Sequence, residues 1–298
     1  MPAKGSGAVS LPVPVVVVGN ISVGGTGKTP LLATLVRHLE LQGYRPGIIS
    51  RGYGGDSPHY PVMVTTESSA EQVGDEPLLL ASFCPVVVDP DRLRAAQYLL
   101  QQTDCDLILS DDGLQHYRLP RDIELVVVDG ERGFGNGLCL PAGPLREPVT
   151  RLREVDFVLV NETAAKLDLP DSEGFEVRAT GLRHLASGTS IAVDQWQGER
   201  RVHAVAGIGN PGRFAHSLRL LGLEPLLHPY PDHHQFTGAE LLFTDNLPVI
   251  ITAKDAVKCA SPAPDNVWVL DVTAEVSPRF LARLDERVAS LANKARMA

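Results

Sequence analysis

VVVVGNISVGGTGKTP, residues 15–30, is the stretch from which the fold follows. A β-branched apolar run leads into a glycine-rich turn ending in Gly-Lys-Thr, and an amphipathic helical pattern begins directly after it. This order is typical of a phosphate-binding loop, because backbone N–H groups at the start of the helix can point at phosphate oxygens. The common pattern has glycine at the place of Ser22, whereas the additional glycines here are Gly24 and Gly25. The alternative is a glycine-rich turn that contains Gly-Lys-Thr by chance.

The end of this loop carries the residues that would touch a nucleotide. Lys28 can reach the β- and γ-phosphates, and the Thr29 hydroxyl can bind Mg²⁺. One glycine-rich variant of the loop has lysine at the place of Val23, and it marks partitioning and maturation ATPases that often act as dimers. Val23 counts against that group.

Strands and helices alternate along the chain around this loop. Six short apolar runs predict buried parallel strands over residues 13–19, 46–50, 85–89, 105–110, 124–129 and 155–160. Helical patterns lie between them over residues 29–42, 75–83 and 90–102. The alternation predicts an α/β fold, with a doubly wound, mostly parallel sheet of the P-loop NTPase kind. Ligands of such sheets bind beyond the carboxyl ends of the strands.

A second, smaller α/β domain is predicted after this sheet. We expect a disordered lead-in over residues 1–12, a domain with the phosphate loop over 13–175, a hinge or linker over 176–201 and the smaller domain over 202–298. The last of these contains apolar runs at 202–208, 249–253 and 267–271 and helical patterns at 211–222 and 278–294.

Composition limits the classes of partner and compartment. The formal net charge of -9 argues against a nucleic-acid partner, since such proteins usually carry a basic face. The four cysteines form no Cys-x-x-Cys pair, which favours reduced thiols in a cytosolic protein. No apolar run reaches the roughly 18 residues needed to span a bilayer.

Polar residues that could take part in catalysis or ligand binding follow several of the predicted strands. Asp111 and Asp112 come directly after a buried strand, where a Mg²⁺-directing aspartate sits in phosphate-loop enzymes; an Asp-Asp-Gly turn is the alternative. Asp75, before Pro77, reads as a helix N-cap. Arg51 lies in a glycine-rich loop and either contacts an anionic substrate or only turns the chain.

Two further regions offer cationic or titratable groups. Arg146 could clamp a phosphate with its forked guanidinium, or belong to an exposed charged loop. His116 could serve as a structural hydrogen-bonding group. His233 lies beside Asp232 in a loop of the second half, where a general base and a plain surface loop are both compatible with the sequence.

Taken together, the motifs resemble those of the tetraacyldisaccharide 4'-kinase family, the lipid A pathway kinases of Gram-negative bacteria. The resemblance rests on motifs that follow one another from about residue 13 to 271, namely VGNISVGGTGKTP, SRGYGG, GDEP, DDGLQHYRL, DG-x-x-x-FGNG, LPAGPLREP, AGIGNP, DHH and TAKDAVK. It implies transfer of the ATP γ-phosphate to the 4'-hydroxyl of tetraacyldisaccharide 1-phosphate. ATP and Mg²⁺ are the implied cofactors. The resemblance further implies that residues 13–175 form a P-loop kinase domain and that the smaller domain closes the active-site cleft. The implied location is the cytoplasmic side of the inner membrane, bound peripherally.

The resemblance also implies roles for individual residues. The ATP contacts are Ser22, Val23, Gly24, Gly25, Thr26, Gly27, Lys28 and Thr29. Thr29, Asp111 and Glu147 are expected at the metal, and Lys28, Asp112 and Arg146 at the reacting phosphates, with Arg51 and His116 as further contacts. Asp75 is expected to work with His233 on the proton of the acceptor hydroxyl, which replaces the N-cap interpretation. Family members carry a longer N-terminal segment with a membrane-directed helix, whereas only a short lead-in precedes the first predicted strand here. A truncated chain, a misassigned start and membrane contact through another part of the protein are the alternatives, and without that helix we expect weaker peripheral binding.

Two other functions remain alternatives at this point. A phosphate-loop ATPase that switches partner binding would hydrolyse ATP slowly without any phosphorylated acceptor. A kinase for a water-soluble acceptor would turn over without detergent.

Overall fold

The computed structural model describes residues 10–162, 167–259 and 264–297. These residues contain thirteen strands and seven α-helices, and they divide into two compact units. The described residues up to Glu176 and from Glu275 onward form the first unit, and Val177–Ala274 form the second. The predicted disordered lead-in falls mostly on residues 1–9, which lie outside the described residues.

A mostly parallel sheet forms the centre of the first unit. Its strands are β1 (Val15–Gly19), β2 (Pro46–Ser50), β3 (Val62–Met63), β4 (Val86–Val88), β5 (Leu107–Asp111), β6 (Ile123–Asp129), β7 (Phe157–Asn161) and the beginning of β8 (Ser172–His184). Their order is β8-β7-β6-β1-β5-β2-β4-β3, and every pair is parallel except β3 with β4. The predicted α/β fold class is confirmed. Because the strands are parallel, their carboxyl ends share one edge of the sheet.

Helices of the first unit bury apolar faces with helical spacing. They are α1 (Lys28–Leu41), α2 (Ala70–Val73), α3 (Asp75–Leu80), α4 (Arg92–Gln102) and α7 (Pro278–Met297). The face of α1 that is buried consists of Leu31, Leu32, Leu35, Val36 and Leu39. Burying each such side chain stabilises the fold by about 1.5–3 kcal/mol, so this face holds α1, and with it the phosphate loop, in place.

The second unit has its own parallel strands and core. Its elements are α5 (Pro211–Leu220), α6 (Ala253–Ala256), β9 (Ser190–Ile191), β10 (Arg201–Ala206), β11 (Glu224–Pro229), β12 (Val249–Thr252), β13 (Val267–Val276) and the end of β8. The strand order is β11-β10-β12-β13-β8, and β9 pairs with β8. Lys258 Nζ lies 2.7 Å from Asp255 Oδ1 in a fully buried ion pair. Asp255 Oδ2 accepts a hydrogen bond from the Gly207 N–H at 3.2 Å, and this bond links α6 to the loop after β10.

Two boundaries differ from the sequence-based prediction. Residues 176–201, predicted as a linker, hold most of β8, all of β9 and a short 3-10 helix. The side chains of β8 are mostly exposed or half-buried, so its composition resembles that of a linker. Helix α7, predicted in the smaller domain, belongs to the first unit, where Phe280 packs edge-on against Phe157 with ring centroids 5.3 Å apart. Periodicity shows which face of a helix is apolar but not what covers it.

All four cysteines are free thiols. In the part of the chain that the structure describes, none of the helices has the length and hydropathy needed to cross a bilayer.

Candidate active site

The phosphate loop joins β1 to α1 and places its lysine between two polar partners. Helix α1 begins at Lys28, directly after Gly27, whose φ of 92° lies in the left-handed region. Lys28 Nζ donates to Asn20 Oδ1 at 2.9 Å and lies 3.4 Å from Asp112 Oδ1. Within the described residues, the amide N–H groups of residues 24–27 have no hydrogen-bond partner. The loop thus offers unpaired N–H groups and an ammonium group, the donors that a phosphate requires.

The carbonyl groups of the same loop, in contrast, are all bound by side chains. Five consecutive carbonyl oxygens, those of residues 22–26, accept hydrogen bonds from three residues outside this segment. Asn20 donates to the first and third carbonyls at 2.5 and 3.5 Å. Arg132 donates to the second and fourth at 3.4 and 2.5 Å. Asn161 donates to the fifth at 3.1 Å.

These donors explain where the loop needs glycine. A Cβ on Gly24, where φ is 90°, would lie 2.4 Å from Arg132 Nη1. A Cβ on Gly27 would lie 2.5 Å from Asn161 Nδ2. Ser22 instead sits in a short antiparallel bridge to Leu145, outside the tightest part of the turn. The loop therefore departs from the common pattern because its crowded positions are 24 and 27.

Asp111 is a buried carboxylate at the carboxyl end of β5. It is 6% exposed, and its Oδ2 accepts a hydrogen bond from Ser50 Oγ at 3.1 Å. Burial, and after it the neighbouring carboxylate of Asp112, raises the pKa of Asp111 to about 6. Glu76 adds a further negative charge that acts in the same direction. A cation bound here would relieve this cost.

Asp112 has the opposite electrostatic environment. Its Oδ2 accepts from Arg146 Nη1 at 2.8 Å, while Oδ1 faces Lys28. Burial alone would raise the pKa of Asp112, but Lys28 and Arg146 outweigh it and hold the pKa below its usual value. The backbone φ of 47° is costly for a residue other than glycine, and such strain concentrates at functional sites. Asp112 therefore aligns two cations at the phosphate loop.

A hydrogen-bond network through Gln115 and Glu147 fixes the position of the Arg146 side chain. Arg146 Nη1 also donates to Gln115 Oε1 at 3.3 Å, and Gln115 Nε2 donates to Glu147 Oε1 at 2.6 Å. The other carboxylate oxygen of Glu147 accepts from the Tyr117 hydroxyl at 2.6 Å and lies 3.2 Å from Arg151 Nε. Because both oxygens of Glu147 are engaged by protein groups, these contacts favour a role in positioning Gln115 and Arg146 over a place at the metal.

Three more basic groups lie around the two aspartates. Arg92, at the start of α4, is 3% exposed and donates to the Asp111 carbonyl at 3.2 Å, and burial lowers its pKa to about 10. His116 Nε2 is buried and has no hydrogen-bond partner among the described residues, and burial, with Arg92 next, lowers the His116 pKa. Arg51 follows β2 and is exposed. Of these three, His116 is the one whose buried ring nitrogen lacks a hydrogen-bond partner within the described residues.

Asp75 is the first residue of α3 and is not its N-cap. The N-cap is Gly74, with φ 85°, and no side chain caps this end. Asp75 is only 2% exposed. The N-cap interpretation is therefore wrong, because the glycine turn brings the chain into the helix one residue earlier than the Asp-Glu-Pro pattern suggests.

His233 belongs to the second unit and has an unusual backbone. Its φ is 62°, and its side chain is 22% exposed, with Nε2 3.8 Å from Asp232 Oδ1. Lys254 Nζ donates to the same Asp232 oxygen at 3.1 Å, and His234 is held separately by Glu240, at 3.1 Å. His233 is thus distinguished by its positive φ, which is costly for a residue other than glycine and is typical of functional sites.

Sequence reasoning missed Asn20, Arg132, Asn161 and Gln115. Asn20 and Asn161 stand at the ends of β1 and β7, and Arg132 comes three residues after the end of β6. The rule that polar residues beyond the carboxyl ends of parallel strands line the site would have included them. Arg132 and Asn161 bind carbonyl groups 109 and 135 positions away in the sequence, so no local pattern could show these contacts.

Comparison with known proteins agrees with this geometry. The sequence model of the family described as tetraacyldisaccharide-1-P 4'-kinase matches residues 4–289. The chain is 49% identical over 288 residues to the tetraacyldisaccharide 4'-kinase of Pseudomonas putida (strain W619), covering 96% of this chain and 85% of that protein. It is 55% identical over 283 residues to the enzyme of that name from Alkalilimnicola ehrlichii, covering 94% and 84%.

A solved structure is similar over the same extent. The crystal structure of the "apo" form of LpxK from Aquifex aeolicus in complex with ATP superposes with a TM-score of 0.79 at 28% sequence identity, covering 94% of this chain and 90% of that one. The fold, the order of the motifs and the sequence similarity agree. This chain belongs to the tetraacyldisaccharide-1-P 4'-kinase family.

Proposed function

We propose that this chain transfers the γ-phosphate of ATP to the 4'-hydroxyl of tetraacyldisaccharide 1-phosphate, a step in lipid A biosynthesis. The observation that carries the proposal is the phosphate loop with unpaired N–H groups, beside which Lys28 and Arg146 converge on Asp112. A kinase has little covalent chemistry to perform, and its main tasks are positioning and charge stabilisation. Membership of the family, together with the named activity of relatives at about half identity, supports the acceptor.

Lys28 and Arg146 act on the charge of the transferring phosphoryl group. Both form ion pairs with Asp112, which holds their side chains at the mouth of the loop. Phosphate oxygens compete with Asp112 for the same donors. Because these cations are placed before the reaction, they stabilise the developing charge with little reorganisation.

Mg²⁺ fits the residues at the end of β5. Asp111 is a buried carboxylate with a raised pKa and a second carboxylate next to it, an arrangement that is costly until a cation arrives. Asp111 and the Thr29 hydroxyl are the oxygen groups that would hold the ion. Bound there together with ATP, Mg²⁺ would neutralise charge on the β- and γ-phosphates.

Asp75 and His233 are proposed to manage the proton of the attacking hydroxyl. A neutral imidazole accepts a proton near physiological pH, and a carboxylate can orient it or share its charge. The burial of Asp75 and the strained backbone of His233 support functional roles for both. Loss of either group would slow transfer without changing ATP affinity.

We also place the reaction at the cytoplasmic face of the inner membrane. The acyl chains of the proposed acceptor hold it in a bilayer, so the protein must work at a lipid surface, bound peripherally.

The proposal is tested by incubating the full chain with γ-labelled ATP and the acceptor in detergent. We expect Mg²⁺-dependent labelling of the lipid, which Lys28→Ala loses. A water-soluble sugar that is labelled equally well without detergent would favour a soluble-acceptor kinase. ATP hydrolysis without a labelled acceptor would favour the partner-binding ATPase.

A further inference from the structure

Arg132 is an arginine without an assigned role that contacts the phosphate loop directly. It lies three residues after the end of β6. Its two terminal nitrogens donate to two carbonyls of the loop, those of Val23 at 3.4 Å and Gly25 at 2.5 Å. A guanidinium can make two such contacts at once because its donors form a rigid planar fork.

The Arg132 side chain is itself fixed by a buried carboxylate. Arg132 Nε lies 3.1 Å from Asp129 Oδ2, and Asp129 is 1% exposed. The other oxygen, Oδ1, accepts from the backbone N–H groups of Glu131 and Arg132 at 3.0 and 3.2 Å. The arginine is therefore oriented by the end of the sheet, and its position does not depend on the phosphate loop alone.

The direction of these hydrogen bonds matters for phosphate binding. Along a tight turn, N–H groups can converge on an anion only if the carbonyl groups turn away from it. Arg132, Asn20 and Asn161 together bind every carbonyl from residue 22 to 26, while the N–H groups of residues 24–27 stay unpaired within the described residues. The carbonyl contacts thus hold the loop in the shape that phosphate needs.

We infer that Arg132 is a positioning residue that keeps the phosphate loop preformed for ATP. This inference rests on the proposed ATP binding, but not on the identity of the acceptor. A loop that is ordered in advance binds its ligand more tightly, because less conformational entropy is lost on binding. Loss of Arg132 should therefore weaken ATP binding and leave turnover at saturating ATP much less affected.

Arg94 provides a matched control. It also pairs with a buried carboxylate at a strand end, with Arg94 Nε 2.5 Å from Asp89 Oδ2 and Nη2 2.8 Å from Oδ1. Asp89 is 0% exposed. Within the described part of the chain, the Arg94 side chain makes its polar contacts with Asp89 alone, so Arg94→Ala removes a similar ion pair without touching the phosphate loop.

The experiment measures the dissociation constant for Mg·ATP by calorimetry without acceptor, followed by kcat and KM for ATP. Because hydrogen bonds to a charged donor are the stronger kind, we expect Arg132→Ala to weaken ATP binding roughly tenfold, with kcat within about threefold of wild type. Added guanidinium should restore part of the affinity. Arg132→Lys, which has a point charge and no fork, should lie between Arg132→Ala and wild type. Arg94→Ala should bind ATP as wild type does.

Three results would overturn the inference. One is wild-type ATP affinity in Arg132→Ala. Another is an equal loss of affinity in Arg94→Ala, which would indicate general destabilisation. If Arg132→Ala does not fold, wild-type affinity in Arg132→Lys would exclude the role of the fork. A wild-type protein that binds no ATP would instead refute the proposed function.

Discussion

Replacing Asp111 with asparagine should stabilise the metal-free protein at neutral pH. The folded state raises the pKa of this carboxyl from 3.8 to about 6. Between about pH 4 and about pH 6, the folded protein therefore retains a proton on Asp111 that the unfolded chain has lost. The free energy of unfolding falls as pH rises through this range. A pKa difference of roughly two between the two states lowers the free energy of unfolding by at most about 3 kcal/mol above that pH range. Asparagine has nearly the same shape as aspartate and cannot ionise, so Asp111→Asn should raise the free energy of unfolding by up to that amount.

The assay is thermal unfolding in EDTA at about pH 5 and about pH 7.5, where 3 kcal/mol corresponds to roughly 5–10 °C. The increase in Tm should be large at the higher pH and smaller at the lower one. Asp112→Asn is the control, and its effect should have the opposite sign at neutral pH, because Lys28 and Arg146 lower the pKa of Asp112. Both variants should lose phosphoryl transfer. An Asp111→Asn protein that melts at or below the wild-type temperature at pH 7.5 would refute the reasoning.

Four further substitutions separate the roles at the site. Lys28→Ala should lower the initial rate of transfer roughly 10²–10³-fold in a folded protein, and a rate near wild type would contradict the loop assignment. His233→Ala and Asp75→Ala should each lower kcat by roughly 10²–10⁴ while calorimetry finds unchanged ATP affinity, and equal loss of ATP binding would disprove their role in proton transfer. Glu147→Gln should cost about 1–3 kcal/mol of stability in urea and reduce kcat less than Asp111→Asn does, and complete loss of activity would favour a direct place at the metal.

The sequence predicts the first sheet well for physical reasons. Its central strands are buried on both faces, so their β-branched runs stand out from the rest of the chain. Asp111, Asp112 and Lys28 are predicted as site residues because phosphate-loop chemistry requires fixed residue types next to a strand end or helix start. These features are local, and local features are what a single sequence displays.

Other parts depend on long-range contacts. The role of Arg132 arises from carbonyl groups more than a hundred positions away. The position of α7 depends on the Phe157 ring that covers Phe280. Residues 175–180 of β8 alternate apolar and polar side chains, but most of the strand is only half-buried, so its composition does not stand out as the fully buried strands do. The N-cap error at Asp75 depends on the φ of one glycine, Gly74, which the residue types leave open.

The most direct test of the central claim is the position of the new phosphate. The full chain is incubated with Mg·ATP and tetraacyldisaccharide 1-phosphate in detergent, and the lipid product is examined by phosphorus NMR. We predict a second phosphate monoester at the 4' position, formed in step with ADP and absent with Lys28→Ala. ADP formation by the wild type with an unchanged lipid, or a phosphate at another hydroxyl, would contradict the account.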